Sequence, residues 1–336
     1  MDLYGIPGDT GGTWRMDKFV EYQHEVPSIH YRVLGEYIKK YVKDRDDAVM
    51  MCWYMASTYN EVTCILLQEI FDWKSLTPST VHDYCQDFWK KNKYSLEFGS
   101  ARKYAKNMNW FPVLMESFIR LTKKHPYKWL KEVSQDLKPL TAYRTVFNII
   151  SHQPYTGRFS TDLFMESTLY IQDYLRLSFK EPSKLDWKRC SNLTSGLLNI
   201  FYEDEAANEF DKTGKLVFPP EYLTDKLLTV QNRISEVYPE QEDDINLFVG
   251  KICSFRNLFK SARYGGFHHD RELGWLNLYK QEFPRYRHLW NRIFKIRREM
   301  FDERFLGELH DWDDIRPERK KLWIKEGLTG VEKNAR

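Results

Sequence analysis

The residues Pro154-Tyr155-Thr156-Gly157-Arg158-Phe159-Ser160-Thr161 separate two amphipathic segments. A proline and glycine turn followed by a helix that begins at Ser or Thr directs backbone N–H groups outward, an arrangement that suits a phosphate. Arg158 adds a cation for a charge-assisted contact. The pattern therefore predicts a phosphate-binding hairpin, with an ordinary turn between two helices as the alternative.

Further along the chain, Leu185-Asp186-Trp187-Lys188 precedes another amphipathic segment that contains Leu197 and Ile200. A carboxylate at a helix start either caps the helix or serves as a general base, and both interpretations of Asp186 stay open. A hairpin, a helix and then an acid resemble the helix-hairpin-helix DNA glycosylases, in which the hairpin grips DNA and the acid faces an extruded nucleotide. Their hairpin usually carries two glycines, whereas this chain has only Gly157.

Two more clusters could take part in chemistry. Gly265 to Arg271 contains His268, His269 and Asp270, which predict a polar loop, with a proton shuttle or an active-site wall as the alternative. After Pro284, basic side chains recur at helical spacing, which indicates either a solvated face or a contact with the DNA backbone. The basic residues are Arg285, His288, Arg292 and Lys295.

Five motifs occur in an order similar to that of the phage amino acid:DNA transferases, also called α-glutamyl/putrescinyl thymine pyrophosphorylases, which are thought to be glycosylase relatives. The resemblance spans roughly residues 45 to 325. The motifs are Tyr59-Asn60-Glu61-Val62-Thr63, Gly157-Arg158-Phe159-Ser160-Thr161, Leu185-Asp186-Trp187-Lys188 with Asn192 and Gly196-Leu197, Cys253-Ser254-Phe255-Arg256-Asn257-Leu258-Phe259, and Gly307-Glu308 with Trp312-Asp313-Asp314-Ile315-Arg316.

The resemblance implies a defined reaction. In such phages, 5-hydroxymethyluracil in DNA is pyrophosphorylated by a kinase, and the transferase then replaces the pyrophosphate with an amine, commonly from an amino acid. This chemistry requires an extruded base, cations for the leaving group and a general base that deprotonates the amine. The expected partners are double-stranded DNA carrying the pyrophosphorylated base and a free amino acid or amine, whose identity the sequence leaves open.

The resemblance also assigns roles to residues. Asp186 and Lys188 are expected to be catalytic, as general base and as pyrophosphate-binding cation. DNA or pyrophosphate is expected to contact Thr156, Gly157, Arg158, Ser160, Thr161, Asn192, Arg256 and Arg263. The expected pocket wall consists of Tyr59, Asn60, His268, His269 and Asp270. We expect no metal ligands and no required cofactor, with a monovalent ion or Mg²⁺ at the phosphate site as the alternative.

Three other functions fit part of the pattern. A glycosylase or lyase acting on a modified thymine would use Asp186 to activate water. A DNA-binding module without catalysis would use only the hairpin. A metal-dependent phosphohydrolase would begin from His269-Asp270, but further ligands do not occur at a recognisable spacing.

The elements that must position these residues are helices. Apolar residues recur every three or four positions in Tyr31, Leu34, Ile38 and Tyr41, and again in Leu227, Val230, Ile234 and Val237. Prolines stand at the breaks between such runs, and strict apolar-polar alternation is missing. We predict an all-α, two-lobed body that is DNA glycosylase-like, with a helix-hairpin-helix at about 140–200. This catalytic domain is expected to span 28–326, with an N-terminal extension at 1–27 and a flexible tail at 327–336.

Composition is compatible with this interpretation. The net charge of +3 over 336 residues permits a DNA partner without requiring one. Five cysteines with no Cys-x-x-Cys pair predict reduced thiols. The mean hydropathy of -0.63 and the absence of a long apolar run predict no membrane segment. The first residues lack a secretory signal, so the expected location is the cytoplasm of the infected host cell.

Overall fold

The computed structural model describes residues 15–17, 19–20, 29–99, 102, 110–171, 187–188, 191–238, 251–253, 255–256, 267–301 and 306. These residues form helices joined by turns, and no β-strand occurs among them. The predicted all-α class is therefore confirmed for this part of the chain. None of the helices described is long and apolar enough to cross a lipid bilayer.

The chain divides into two compact units. The smaller unit comprises residues 1–28 and 178–267, and the larger unit comprises residues 29–177 and 268–336. Residues 15–17 and 19–20, which fall in the predicted N-terminal extension, belong to the smaller unit. The predicted tail at 327–336 lies outside the described residues.

The larger unit contains ten α-helices among its described residues. They are α1 (Ile29–Tyr41), α2 (Arg45–Thr58), α3 (Glu61–Ile70), α4 (Val81–Asn92), α5 (Trp110–Thr122), α6 (Pro126–Ser134), α7 (Pro139–Ser151), α8 (Arg158–Thr168), α12 (Phe267–Glu282) and α13 (Arg287–Met300). Short 3-10 helices occur at Trp73–Ser75 and Pro284–Tyr286. The smaller unit contains α9 (Ser191–Ile200), α10 (Asp204–Thr213) and α11 (Pro220–Val237).

Helix α2 is the central element of the larger unit. Every residue from Ala48 to Thr58 is buried, as expected for a helix that neighbours surround on all sides. Asp44 caps its first turn by accepting hydrogen bonds from the N–H groups of Asp46 and Asp47. The Trp53 ring stacks on Phe118 at a centroid distance of 4.4 Å, so α2 packs directly against α5. This core fixes the helices that carry the candidate site.

Sequence signals explain where several helices begin. Prolines occupy the first helical position of α6, α7 and α11, where the missing N–H has no intrahelical acceptor to lose. The apolar repeats predicted as helices coincide with α1 and α11, and their repeating residues are buried except Tyr41 and Val237. The segment predicted as a polar loop is different, because α12 begins at Phe267 and includes His268, His269 and Asp270.

The smaller unit has its own packing. Phe19 meets Phe255 edge to face, with ring centroids 5.2 Å apart. Arg15 pairs with Asp204 at 2.9 Å and also donates to the carbonyl of Asn199. An added Cβ at Gly196 would approach Ile252 to 2.7 Å, so this glycine allows α9 to pass close to the segment that contains Ile252.

Candidate functional site

A tight turn joins α7 to α8 and presents the first turn of α8. Thr156 is buried, its hydroxyl donates to the Ile150 carbonyl at 2.7 Å, and its N–H donates to the Gln153 carbonyl at 3.2 Å. These bonds hold the turn against the end of α7. Gly157 is the N-cap of α8 with an extended φ of -88°, and an added Cβ would meet no atom within 4 Å. The left-handed residue of the turn is Tyr155, with φ 56°.

The predicted phosphate-binding residues have different environments in this turn. Gly157 has no side chain that could accept from the N–H groups of the first turn of α8, which lack intrahelical acceptors. The hydroxyl of Thr161 donates to the Gly157 carbonyl at 3.1 Å, and Ser160 is buried. The two threonine hydroxyls therefore brace the backbone, and the Arg158 side chain is partly exposed.

Arg158 and Asp162 form an ion pair one helical turn apart. Arg158 Nε lies 3.6 Å from Asp162 Oδ2, and the two side chains are 33% and 30% exposed. Burial raises the pKa of Asp162 to about 6, while the neighbouring Arg158 guanidinium acts in the opposite direction. The start of α8 thus places a cation suited to phosphate one turn before a carboxylate whose pKa is about 6.

The Tyr59-Asn60 motif forms the elbow between α2 and α3. Tyr59 ends α2 in the left-handed conformation, with φ 51°. Asn60 caps α3 by accepting a hydrogen bond from the N–H of Thr63 at 3.0 Å, and it is buried. The Tyr59 ring lies edge-on to Phe159, with centroids 5.3 Å apart. The elbow therefore contacts the first turn of α8.

The start of α12 meets the same elbow from another direction. The Arg271 guanidinium lies 5.5 Å from the Tyr59 ring centroid and 4.3 Å from that of Trp275. Arg271 is buried, and an added Cβ at Gly99 would come within 2.7 Å of it. The structure therefore brings the Tyr59-Asn60 and His268-His269-Asp270 motifs into one region of the larger unit, although they are far apart in sequence.

This region contains a buried ionic cluster. Glu272 and Arg297 are buried and form an ion pair. Burial lowers the pKa of Arg297 to about 10, with Glu61 and Asp270 acting in the opposite direction. The carboxylates of Glu61, Asp270 and Glu272, from α3 and α12, thus lie around the Arg297 guanidinium of α13.

The two histidines of α12 lie inside the protein. His268 and His269 are both buried, and His269 meets the Phe301 ring edge-on at 4.6 Å. Their environment is that of a core supporting the elbow. Among the residues that the structure describes, no three His, Cys, Asp or Glu side chains are grouped as a metal site would require.

The remaining predicted site residues belong to the smaller unit. Lys188 is exposed and follows the buried Trp187, whose carbonyl accepts a hydrogen bond from the Thr194 hydroxyl at 2.8 Å. Arg256 pairs with Asp211 at 2.6 Å and donates to Asn192 at 3.2 Å. These two predicted DNA-binding residues, Arg256 and Asn192, therefore bond to each other.

Asp186 and Arg263 lie outside the described residues. The helix that contains Leu197 and Ile200 begins at Ser191, and Trp187 and Lys188 belong to a turn. Whether Asp186 acts as an N-cap or as a general base therefore stays a prediction.

Sequence reasoning missed Asp162. Its spacing of four residues from Arg158 is a signal for an ion pair on one helix face. The spacing does not reveal that the carboxylate is partly buried, which is the property that shifts its pKa.

Comparison of this chain with protein-family models, with curated proteins and with solved structures finds no match.

Proposed function

We propose that this chain is a DNA-modifying transferase. It would replace the pyrophosphate of pyrophosphorylated 5-hydroxymethyluracil in double-stranded DNA with an amino acid or another amine. The reaction is taken from the resemblance of the five sequence motifs to the phage amino acid:DNA transferases. The single structural feature that best supports it is the Arg158–Asp162 pair, which spans the first two turns of α8.

In this proposal α7, the turn at 152–157 and α8 serve as the helix-hairpin-helix element. The first-turn N–H groups and the positive end of the α8 dipole attract a phosphate. The Arg158 guanidinium can form two parallel hydrogen bonds to a phosphoryl group, which would favour departure of the pyrophosphate. Arg144 and Arg158 are cations for a polyanion in residues 139–161, and the acid that follows, Asp162, pairs with Arg158.

Asp162 supplies the proton acceptor. An amine enters mostly as an ammonium ion and must lose a proton before its nitrogen lone pair can bond to the exocyclic methylene carbon of the base. A carboxylate with a pKa of about 6 is mostly charged at neutral pH, and it is more basic than an ordinary aspartate. Asp162 would take this proton, while the pyrophosphate leaves with the electron pair of the broken carbon–oxygen bond. Asp186 is the second candidate for the same step.

The direct test incubates the full chain with DNA containing pyrophosphorylated 5-hydroxymethyluracil and a mixture of amino acids and polyamines. Nucleosides are then analysed by mass spectrometry and pyrophosphate release is measured. An amine adduct supports the proposal. A lost base would replace it with a glycosylase or lyase, and unchanged nucleosides with normal DNA affinity would replace it with a DNA-binding module.

Variants of the ion pair assign the roles. Arg158→Lys is expected to lower kcat about 10- to 100-fold, because lysine keeps the charge but loses the planar fork. Asp162→Asn is expected to abolish turnover. DNA affinity should stay within a few-fold of the wild-type value. The matched control is Arg120→Lys, since Arg120 and Glu116 form an ion pair of the same i,i+4 spacing on α5. An equal decrease of kcat in the control variant would contradict the assignment of Arg158 to the leaving-group site.

A further inference from the structure

Two aromatic rings are exposed at the turn between α7 and α8. Tyr155 is 47% exposed and Phe159 is 44% exposed. Among the described residues, the other exposed large aromatic side chain is Tyr94, which is 82% exposed. Large rings usually bury themselves, so a pair on either side of Arg158 calls for a reason other than folding.

The Tyr155 ring is oriented by its neighbours. Its backbone φ of 56° lies in the left-handed region, which Tyr59, Lys123, Lys124 and Tyr202 also adopt. The ring is held in a defined orientation, because it stacks on Trp110 at 4.6 Å with an interplanar angle of 5°.

Phe159 is positioned equally well. It lies on the first turn of α8, and its ring meets Tyr59 edge-on at 5.3 Å. Tyr59 is itself fixed as the left-handed residue that ends α2. Two oriented, half-exposed rings therefore stand three residues before and one residue after Arg158 in the sequence.

We infer that Tyr155 and Phe159 stack on, or insert between, the bases of the nucleic acid whose backbone Arg158 holds. Flat rings beside a cation match the alternation of bases and phosphates along a strand, and such stacking accepts any base. Arg144 and Arg158 are the basic side chains of residues 139–161, and Asp162, which follows this segment directly, pairs with Arg158. The inference takes DNA as the partner from the proposed function. It adds a way in which the duplex would be opened beside the target thymine.

The test measures DNA binding by the full chain, using a short unmodified duplex and the matching single strand. Each carries 2-aminopurine next to a thymine, because insertion of a ring separates this base from its neighbours and raises its fluorescence. The variants are Tyr155→Gly, which removes the ring and suits the left-handed backbone, Phe159→Ala and the double variant. Tyr94→Ala is the matched control, since Tyr94 is an exposed aromatic residue outside the turn.

Each ring removal at the turn is expected to weaken DNA affinity about 5- to 150-fold and to abolish the fluorescence rise, whereas Tyr94→Ala should change neither. Unchanged affinity and fluorescence in the double variant would overturn the inference and leave DNA binding through Arg158 intact. Failure of the wild-type chain to bind either DNA would overturn the proposed function as well. Self-association of the wild-type chain that disappears in the double variant would also overturn the inference, because the rings would then form a protein contact.

Discussion

At the scale of single residues, the Arg158–Asp162 pair combines two opposing effects. Partial burial disfavours the charged form of Asp162, and the guanidinium beside it favours that form. Burial is the larger effect, so the pKa of the carboxyl rises to about 6. Ionisation of an acid with a raised pKa lowers the free energy of unfolding of the protein. This decrease can be measured without knowing the substrate.

We expect Asp162→Asn to stabilise the protein at neutral pH. The folded pKa of about 6 lies above the unfolded value of about 3.9, so the native state binds the proton more tightly between these values. The contribution of Asp162 to the free energy of unfolding therefore falls as pH rises through this window. Because the side chain is 30% exposed, we expect a gain of about 1 to 2 kcal/mol at pH 7.5 and none near pH 4.

Urea unfolding at a series of pH values measures this difference. The control is Asp136→Asn, because Asp136 is an exposed aspartate in the turn after α6. A stability difference between wild type and Asp162→Asn that stays constant from pH 4 to pH 7.5 would contradict the shifted pKa.

At the scale of elements, the start of α8 has no side-chain acceptor for its first-turn N–H groups, because its N-cap is Gly157. Helices α2 and α3 differ, since Asp44 and Asn60 accept from the first-turn N–H groups there. Helices α4, α6, α7, α10, α11 and α13 resemble α8, because their N-cap residues make no side-chain cap hydrogen bond either. In the proposed function the N–H groups of α8 would receive a phosphate.

We expect Gly157→Asp to strengthen the helix and weaken DNA binding. The new carboxylate would accept from the first-turn N–H groups and favour the helix dipole, which adds about 0.5 to 1 kcal/mol of stability. The same groups would no longer receive a phosphate, so DNA affinity should fall about 10-fold. Thermal unfolding and fluorescence anisotropy measure the two effects. Gly157→Ala is the control, because it adds a Cβ without an acceptor, and an equal loss of affinity in this variant would contradict the explanation.

At the scale of the whole molecule, a net charge of +3 over 336 residues provides little long-range attraction to DNA. In the proposed function, DNA binding would depend on local basic side chains such as Arg144 and Arg158, the second of which pairs with Asp162. The affinity should therefore depend on a small number of phosphate contacts, each of which releases counterions.

We expect the logarithm of DNA affinity to fall linearly with the logarithm of salt concentration. Arg158→Gln should reduce the slope by about one unit, because one phosphate contact is lost. Titrations at several salt concentrations measure the slope, and Arg120→Gln on α5 is the control. A flat salt response of the wild-type chain would argue against DNA as the partner.

Local sequence determined the helical class and several helix boundaries. Apolar spacing and proline positions act within a few residues, so α1, α6, α7 and α11 could be predicted from the sequence alone. The same local reasoning identified the turn before α8 and its Arg158. It interpreted the beginning of α12 as a loop, because a run of polar and charged residues usually indicates solvent exposure.

Tertiary structure alone decided the environments of the site residues. His269, Arg271 and Glu272 are buried because their charges and dipoles meet partners from distant segments, and local spacing does not encode those partners. Arg256, which was predicted to contact DNA or pyrophosphate, pairs with Asp211, 45 positions away. The pKa of Asp162 depends on how much water the surrounding helices exclude. The turn before α8 could be predicted from local sequence. The pKa and the exposure of its side chains could not, because burial and long-range pairing are properties of the packed chain.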